Sequence, residues 1–96
     1  MFDIIHYFAP TFSPRLIPDL SIEEAIKELR AITPTAYRLE VHLQGCGRYW
    51  LHWDYRIGQY EVIQRHNGRC MTLGRSCVRP AAALTRLAKL AGKGDA

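Results

Sequence analysis

The sequence predicts an α+β fold, a four-stranded antiparallel meander with two helices on one face and an optional extra strand at the N-terminus. Three observations point there. Apolar and polar residues alternate strictly from Tyr37 to Gln44 and again from Tyr49 to Ile57. Two dipeptides, Gly58-Gln59 and Asn67-Gly68, suit two-residue hairpin turns and divide the chain beyond Ile57 into short strands. Helical periodicity flanks this region on both sides, behind Ser21 and behind Pro80.

Residues 2 to 8 read as a strand with Phe2, Ile4 and Phe8 on one parity. Pro10, Pro14 and Pro18 interrupt the next stretch, so Ala9 to Asp19 reads as an irregular connection. Ser21 then supplies an N-cap, and Glu24 three residues later completes a capping box. Ile22, Ala25, Ile26, Leu29 and Ile32 fall on one helical stripe, and Thr33-Pro34 ends the helix because the residue before proline avoids the α region.

Turn lengths set the strand registers. A turn at Gly58-Gln59 places Ile57 opposite Tyr60, Tyr55 opposite Val62 and Arg56 opposite Glu61. One at Asn67-Gly68 places Val62 opposite Leu73, Gln64 opposite Met71 and Arg65 opposite Cys70. In the first hairpin a two-residue turn would mix the faces. An odd loop, Cys46-Gly47-Arg48 with a bulge, is chosen instead, setting Val41 opposite Trp53 and Leu39 opposite Tyr55.

These registers give an inner face of Leu39, Val41, Leu43, Leu51, Trp53, Tyr55, Ile57, Tyr60, Val62, Met71 and Leu73. The outer face carries charged and polar side chains, with Trp50 and Ile63 as large apolar exceptions. A short strand from Arg69 to Leu73 and a turn at Gly74-Arg75-Ser76 close the sheet. The last helix runs from Pro80 to Ala91, with Gly92 at its cap and Ala83, Leu84, Leu87, Leu90 and Ala91 facing inward. Arg79, Arg86, Lys89 and Lys93 are expected outside, and Gly94 to Ala96 frayed.

Ninety-six residues, 48% hydrophobic and 23% charged, make one globular domain, 1–96, without a disordered or coiled-coil composition. No apolar run approaches the ~20 residues of a membrane span. The opening Met1-Phe2-Asp3-Ile4-Ile5-His6 has an acid where a signal peptide carries Lys or Arg, so a cytoplasmic protein without membrane contact is expected. Cys46, Cys70 and Cys77 form no CxxC pair and read as free thiols.

Charge is unevenly spread behind a net +4. Met1 to Asp54 holds five Lys/Arg against seven Asp/Glu, and Tyr55 to Ala96 holds eight against two. Ten of the thirteen cations are Arg, which forks onto phosphates and carboxylates. The candidate binding residues are therefore Arg75, Arg79, Arg86 and Lys89 along the last helix, and Arg56, Arg65 and Trp50 on the outer face. An ordinary solvated basic surface is the competing explanation.

The sequence contains no GxGxxG, P-loop, GxSxG or HExxH pattern. His42 and His52 facing each other across a hairpin near Cys46 would supply three zinc ligands, with no fourth at metal-site spacing. Cys70 or Cys77 paired with His66 or His52 would be a thiol nucleophile and its base. Short loops with no cleft-forming insertion argue against both, and neither an enzyme nor a cofactor is expected.

The order helix, antiparallel strands, helix over Ser21 to Ala91 resembles a double-stranded-RNA-binding domain, with Gly74-Arg75-Ser76 before Arg79-Pro80-Ala81-Ala82-Ala83 at the start of its second helix. That family carries a lysine cluster there, where this chain has Arg75, Arg79 and a proline, and it has three strands where four are counted here. The chain also resembles in type the small phage and mobile-element inhibitors of the anti-CRISPR kind: capped helix, short meander, Ala/Leu helix. That resemblance implies a non-catalytic binding protein occupying a surface on a host or defence complex that is acidic or itself binds nucleic acid. The dsRNA-binding-like order implies the alternative, a nucleic-acid-binding regulator. Monomer and homodimer both remain open.

Overall fold

The computed structural model describes residues 1–94, the side chains of Arg75 and Lys93 excepted. Its elements run β1 (Phe2–Tyr7), β2 (Arg15–Leu20), α1 (Ile22–Ile32), a 3-10 turn at Thr33–Thr35, β3 (Arg38–Leu43), β4 (Tyr49–Asp54), β5 (Tyr60–His66), β6 (Arg69–Cys77) and α2 (Pro80–Gly94). The strands form one antiparallel sheet in the order β2-β1-β3-β4-β5-β6. The class is thus α+β. The meander β3 to β6 is extended by a whole N-terminal hairpin, so among the described residues six strands replace the four expected with one optional addition.

Both helices lie on the same face, α1 over β1 and β2, α2 over β3 to β6, and they touch each other. Burial explains the choice of face. Phe2, Ile4, Leu39, Val41, Leu51, Trp53, Tyr60 and Val62 point inward at alternate strand positions and meet Ala25 and Leu29 of α1 and Ala83, Leu84 and Leu87 of α2. The α1 capping box is present: Ser21 Oγ accepts from the Glu24 backbone N–H at 3.2 Å, and Glu24 Oε1 accepts from that of Ser21 at 2.9 Å. No helix among the described residues is long and apolar enough to cross a membrane.

Several sequence expectations are corrected. The stretch from Ala9 to Asp19 is not wholly irregular, because Arg15–Leu20 is a strand. Pro18 fits there since β2 is an edge strand, and an edge strand needs backbone donors on one side only. Within β1 the inward position after Ile4 belongs to His6, 5% exposed, while Phe8 lies beyond the strand and is exposed.

The β4–β5 connection is not a two-residue turn at Gly58-Gln59. Trp53 faces Tyr60 and Leu51 faces Val62, so Tyr55 to Gln59 form a loop. Asp54 organises it: its Oδ1 accepts from the backbone N–H groups of Arg56 at 2.9 Å and Ile57 at 3.1 Å, and its carbonyl accepts from Gly58 N–H at 2.9 Å. Gly58 closes the turn at φ +68°, a conformation that side chains disfavour. Tyr55 and Ile57 are consequently exposed, and Arg56 does not face Glu61.

In the β3–β4 hairpin the loop is odd, as the face argument requires, but five residues long (44–48) where three were expected. Leu39 therefore faces Trp53, and Val41 faces Leu51. Met71 has the inward parity in β6 yet is 53% exposed. The β5–β6 register is as expected, Val62 opposite Leu73 and Arg65 opposite Cys70. However, β6 continues past Leu73 to Cys77 through a register shift, with Gly74 at φ +65°. The expectation of fraying falls partly on Asp95 and Ala96, which lie outside the described residues.

Candidate binding surface

With both helices on one side, the outer face of the sheet is left without a covering helix among the described residues. Strand alternation places Tyr7 of β1, Arg38, Glu40 and His42 of β3, Trp50, His52 and Asp54 of β4, and Glu61, Ile63 and Arg65 of β5 there. Trp50 sits near its middle, directly opposite His42 on one side and Ile63 on the other.

These side chains form a connected series. The Arg38 guanidinium lies over the Tyr7 ring, 4.0 Å from its centroid. The Tyr7 hydroxyl donates to Glu40 Oε2 at 3.1 Å, and Glu40 Oε1 meets His42 Nε2 at 3.0 Å. The His42 ring stacks on the Trp50 indole with centroids 5.8 Å apart and planes 15° from parallel. Arg65 places its guanidinium 5.3 Å from the Trp50 ring centroid. The hydrogen bond from His42, with help from Tyr7 and Arg38, holds the Glu40 carboxyl below its ordinary value against an opposing effect of burial. Trp50 is therefore on the expected face but half-buried where a largely exposed ring was expected, because His42 and Arg65 cover its flanks.

The structure separates the other sequence-predicted residues. Arg56 lies in the β4–β5 loop, 3.8 Å from Asp54, at the opposite end of the strands from Arg65, so the two form no common surface. Arg79 and Lys89 are exposed, one just before α2 and one within it, about 15 Å apart at helical rise. Arg86 lies between them, half-buried, and its Nη2 donates to the Leu73 carbonyl at 2.8 Å. The side chain of Arg75 lies outside the described residues.

His42 and His52 do not face each other: His42 pairs with Trp50, and His52 with Glu40 and Glu61. Among the described residues no group of three or more His, Cys, Asp or Glu is placed to hold a metal ion. The Cys77 thiol donates to the Arg79 carbonyl at 3.3 Å, and Cys70 is exposed opposite Arg65. Sequence reasoning missed Tyr7 and Glu40 as the support beneath His42. Their alternation parity was available, but the pairing of β1 with β3 was not. No protein-family model, curated protein or solved structure matches the chain.

Proposed function

We propose that this chain is a non-catalytic binding protein that docks a larger protein through the outer face of its sheet, with Trp50 as the central anchor. The observation that carries this is the clamping of Trp50 between His42 and Arg65, with His42 itself held by Glu40. An aromatic ring fixed before binding loses little conformational freedom on docking, and Trp, Tyr and Arg dominate the energetics of protein interfaces. The acids of the face support a protein partner over nucleic acid. Glu40 and Glu61 flank the central row, and their carboxylates would oppose phosphates laid across Trp50. A mobile-element inhibitor acting on a host or defence complex in the cytoplasm is the form of binding protein this reading favours.

The test is affinity capture from the source cell with wild type, Trp50→Ala and Arg65→Glu, each with and without nuclease, followed by affinity measurement on the purified partner. Loss of a protein partner in Trp50→Ala with an unchanged melting curve is expected. Capture that vanishes with nuclease and ignores both substitutions would replace this reading with nucleic-acid binding along Arg79 and Lys89.

A further inference from the structure

One end of the sheet, where β1, β4 and β6 finish and β3 and β5 begin, is the most apolar part of the surface. Six of the eight large hydrophobic side chains exposed among the described residues gather there: Phe8, Phe12, Leu16, Tyr55, Ile57 and Val78. Such concentration on a monomer surface marks interaction sites. Within it a cleft of ≈ 400 Å³ opens between the end of α1, the β4–β5 loop and the segment joining β6 to α2. Trp53 and Tyr60 contribute to its lining from the sheet and Leu29 from α1, while Tyr55 and Val78, 56% and 66% exposed, line it near the surface.

Among the described residues, the charge on the wall of the cleft has one sign. Among the described residues Arg30 is the single charged one lining it, Arg79 adjoins Val78 in sequence, and Arg56 adjoins Tyr55; all three are exposed. No carboxylate among the described residues lines it. Three carboxylates adjoin lining residues in sequence and none turns into the cleft: Asp54 is 7% exposed and occupied by the loop amides, Glu61 meets Thr72 on the outer face of the sheet, and Glu28 lies across the axis of α1 from Arg30. Asp3, Asp19, Glu23 and Glu24 lie at the opposite end, where β1 and α1 begin and β2 finishes. The cleft therefore sits in a positive field with apolar surface as its main offering.

We propose that this cleft docks an acidic protein segment carrying one large apolar side chain, which enters between Tyr55 and Val78 while flanking carboxylates meet Arg30 and Arg79. Nucleic acid fits less well, because a single lining cation among the described residues makes no phosphate track. The site is separate from the Trp50 face: Trp53 and Trp50 point to opposite sides of β4.

The test uses a fluorescein-labelled nonapeptide of alternating Asp and Glu with a central Phe, titrated with the full chain by fluorescence anisotropy. Saturable binding that weakens with salt is expected, about tenfold weaker for Arg30→Glu and for Val78→Asp, and unchanged for Trp50→Ala. A peptide with Ala for the central Phe should lose a similar factor. The proposal is overturned by no saturation up to ~1 mM chain, by equal binding of an Asn/Gln peptide, or by wild-type affinity in Arg30→Glu. Displacement of the peptide by a single-stranded oligonucleotide that binds more tightly would also overturn it. Failure here leaves the Trp50 reading standing, since that reading predicts sensitivity to Trp50→Ala and none to Arg30→Glu.

Discussion

Arg86 of α2 donates its Nη2 to the carbonyl of Leu73 at 2.8 Å, and its guanidinium passes over the bare α-carbon of Gly74. A Cβ at Gly74 would collide with that guanidinium. The contact ties the last helix to the last strand at the point where β6 shifts register. A residue read from sequence as a surface cation thus acts as a clasp between two elements.

Gly74→Ala should destabilise the fold by about 1–3 kcal/mol, through the left-handed φ of +65° and the displaced guanidinium. Arg86→Ala alone should cost about 1–2 kcal/mol from the lost charge-assisted bond. The two should couple, with Arg86→Ala costing less in the Gly74→Ala background. Urea denaturation of the single and double variants measures this, and strict additivity would show that Gly74 and Arg86 act independently.

Leu87 is fully buried between α2 and the sheet, so Leu87→Ala should cost about 2–5 kcal/mol. Ser21→Ala should cost only ~1 kcal/mol by removing one side of the capping box. Denaturant midpoints separate the two, and a silent Leu87→Ala would contradict the docking of α2.

Stability should fall with acid over two separate pH ranges. His6 is 5% exposed, its Nε2 has no hydrogen-bond partner among the described residues, and burial together with Arg15 pushes its pKa below 6.5. The unfolded chain therefore binds a proton near pH 6.5 that the folded chain refuses, and stability falls as pH drops below that value. The carboxyls of Asp3, Glu24 and Glu40 are shifted the other way. Backbone N–H donation from Asp19 and Ser21 acts first on Asp3 and Glu24, and the His42 hydrogen bond first on Glu40. Their contribution is complete above the ordinary 3.8 to 4.5 and is lost only as pH falls through the lower folded values. Denaturant midpoints measured from pH ~7.5 down to ~3 should show both limbs, and His6→Leu should flatten the first while sparing the second.

What the sequence determined by itself was local. Ser21 and Glu24 lie three residues apart, so the α1 capping box depends on no distant part of the chain. Asn67-Gly68 specifies the β5–β6 hairpin in the same way, and its register followed directly. Alternation determined the face of Trp50, because a strand's side chains switch sides at every residue whatever the strand pairs with.

Loop length was a different matter. Asp54 and Gly58 form a longer turn in which the Asp side chain caps the backbone N–H groups of Arg56 and Ile57, and that arrangement prevailed over a glycine-first two-residue turn. With Trp53 placed opposite both Leu39 and Tyr60, the core is closed without Tyr55 or Ile57, which are released to the surface.

The charge distribution was decided by the tertiary structure alone. Along the chain, cations concentrate in the second half, yet folding brings Arg30 of the first half to one cleft with Tyr55 and Val78, the neighbours of Arg56 and Arg79 in the second. It gathers Asp3, Asp19, Glu23 and Glu24 at the other end. Antiparallel pairing turns the chain back at each loop, so residues far apart in sequence share one end of the sheet, and a count made along the chain cannot see an end.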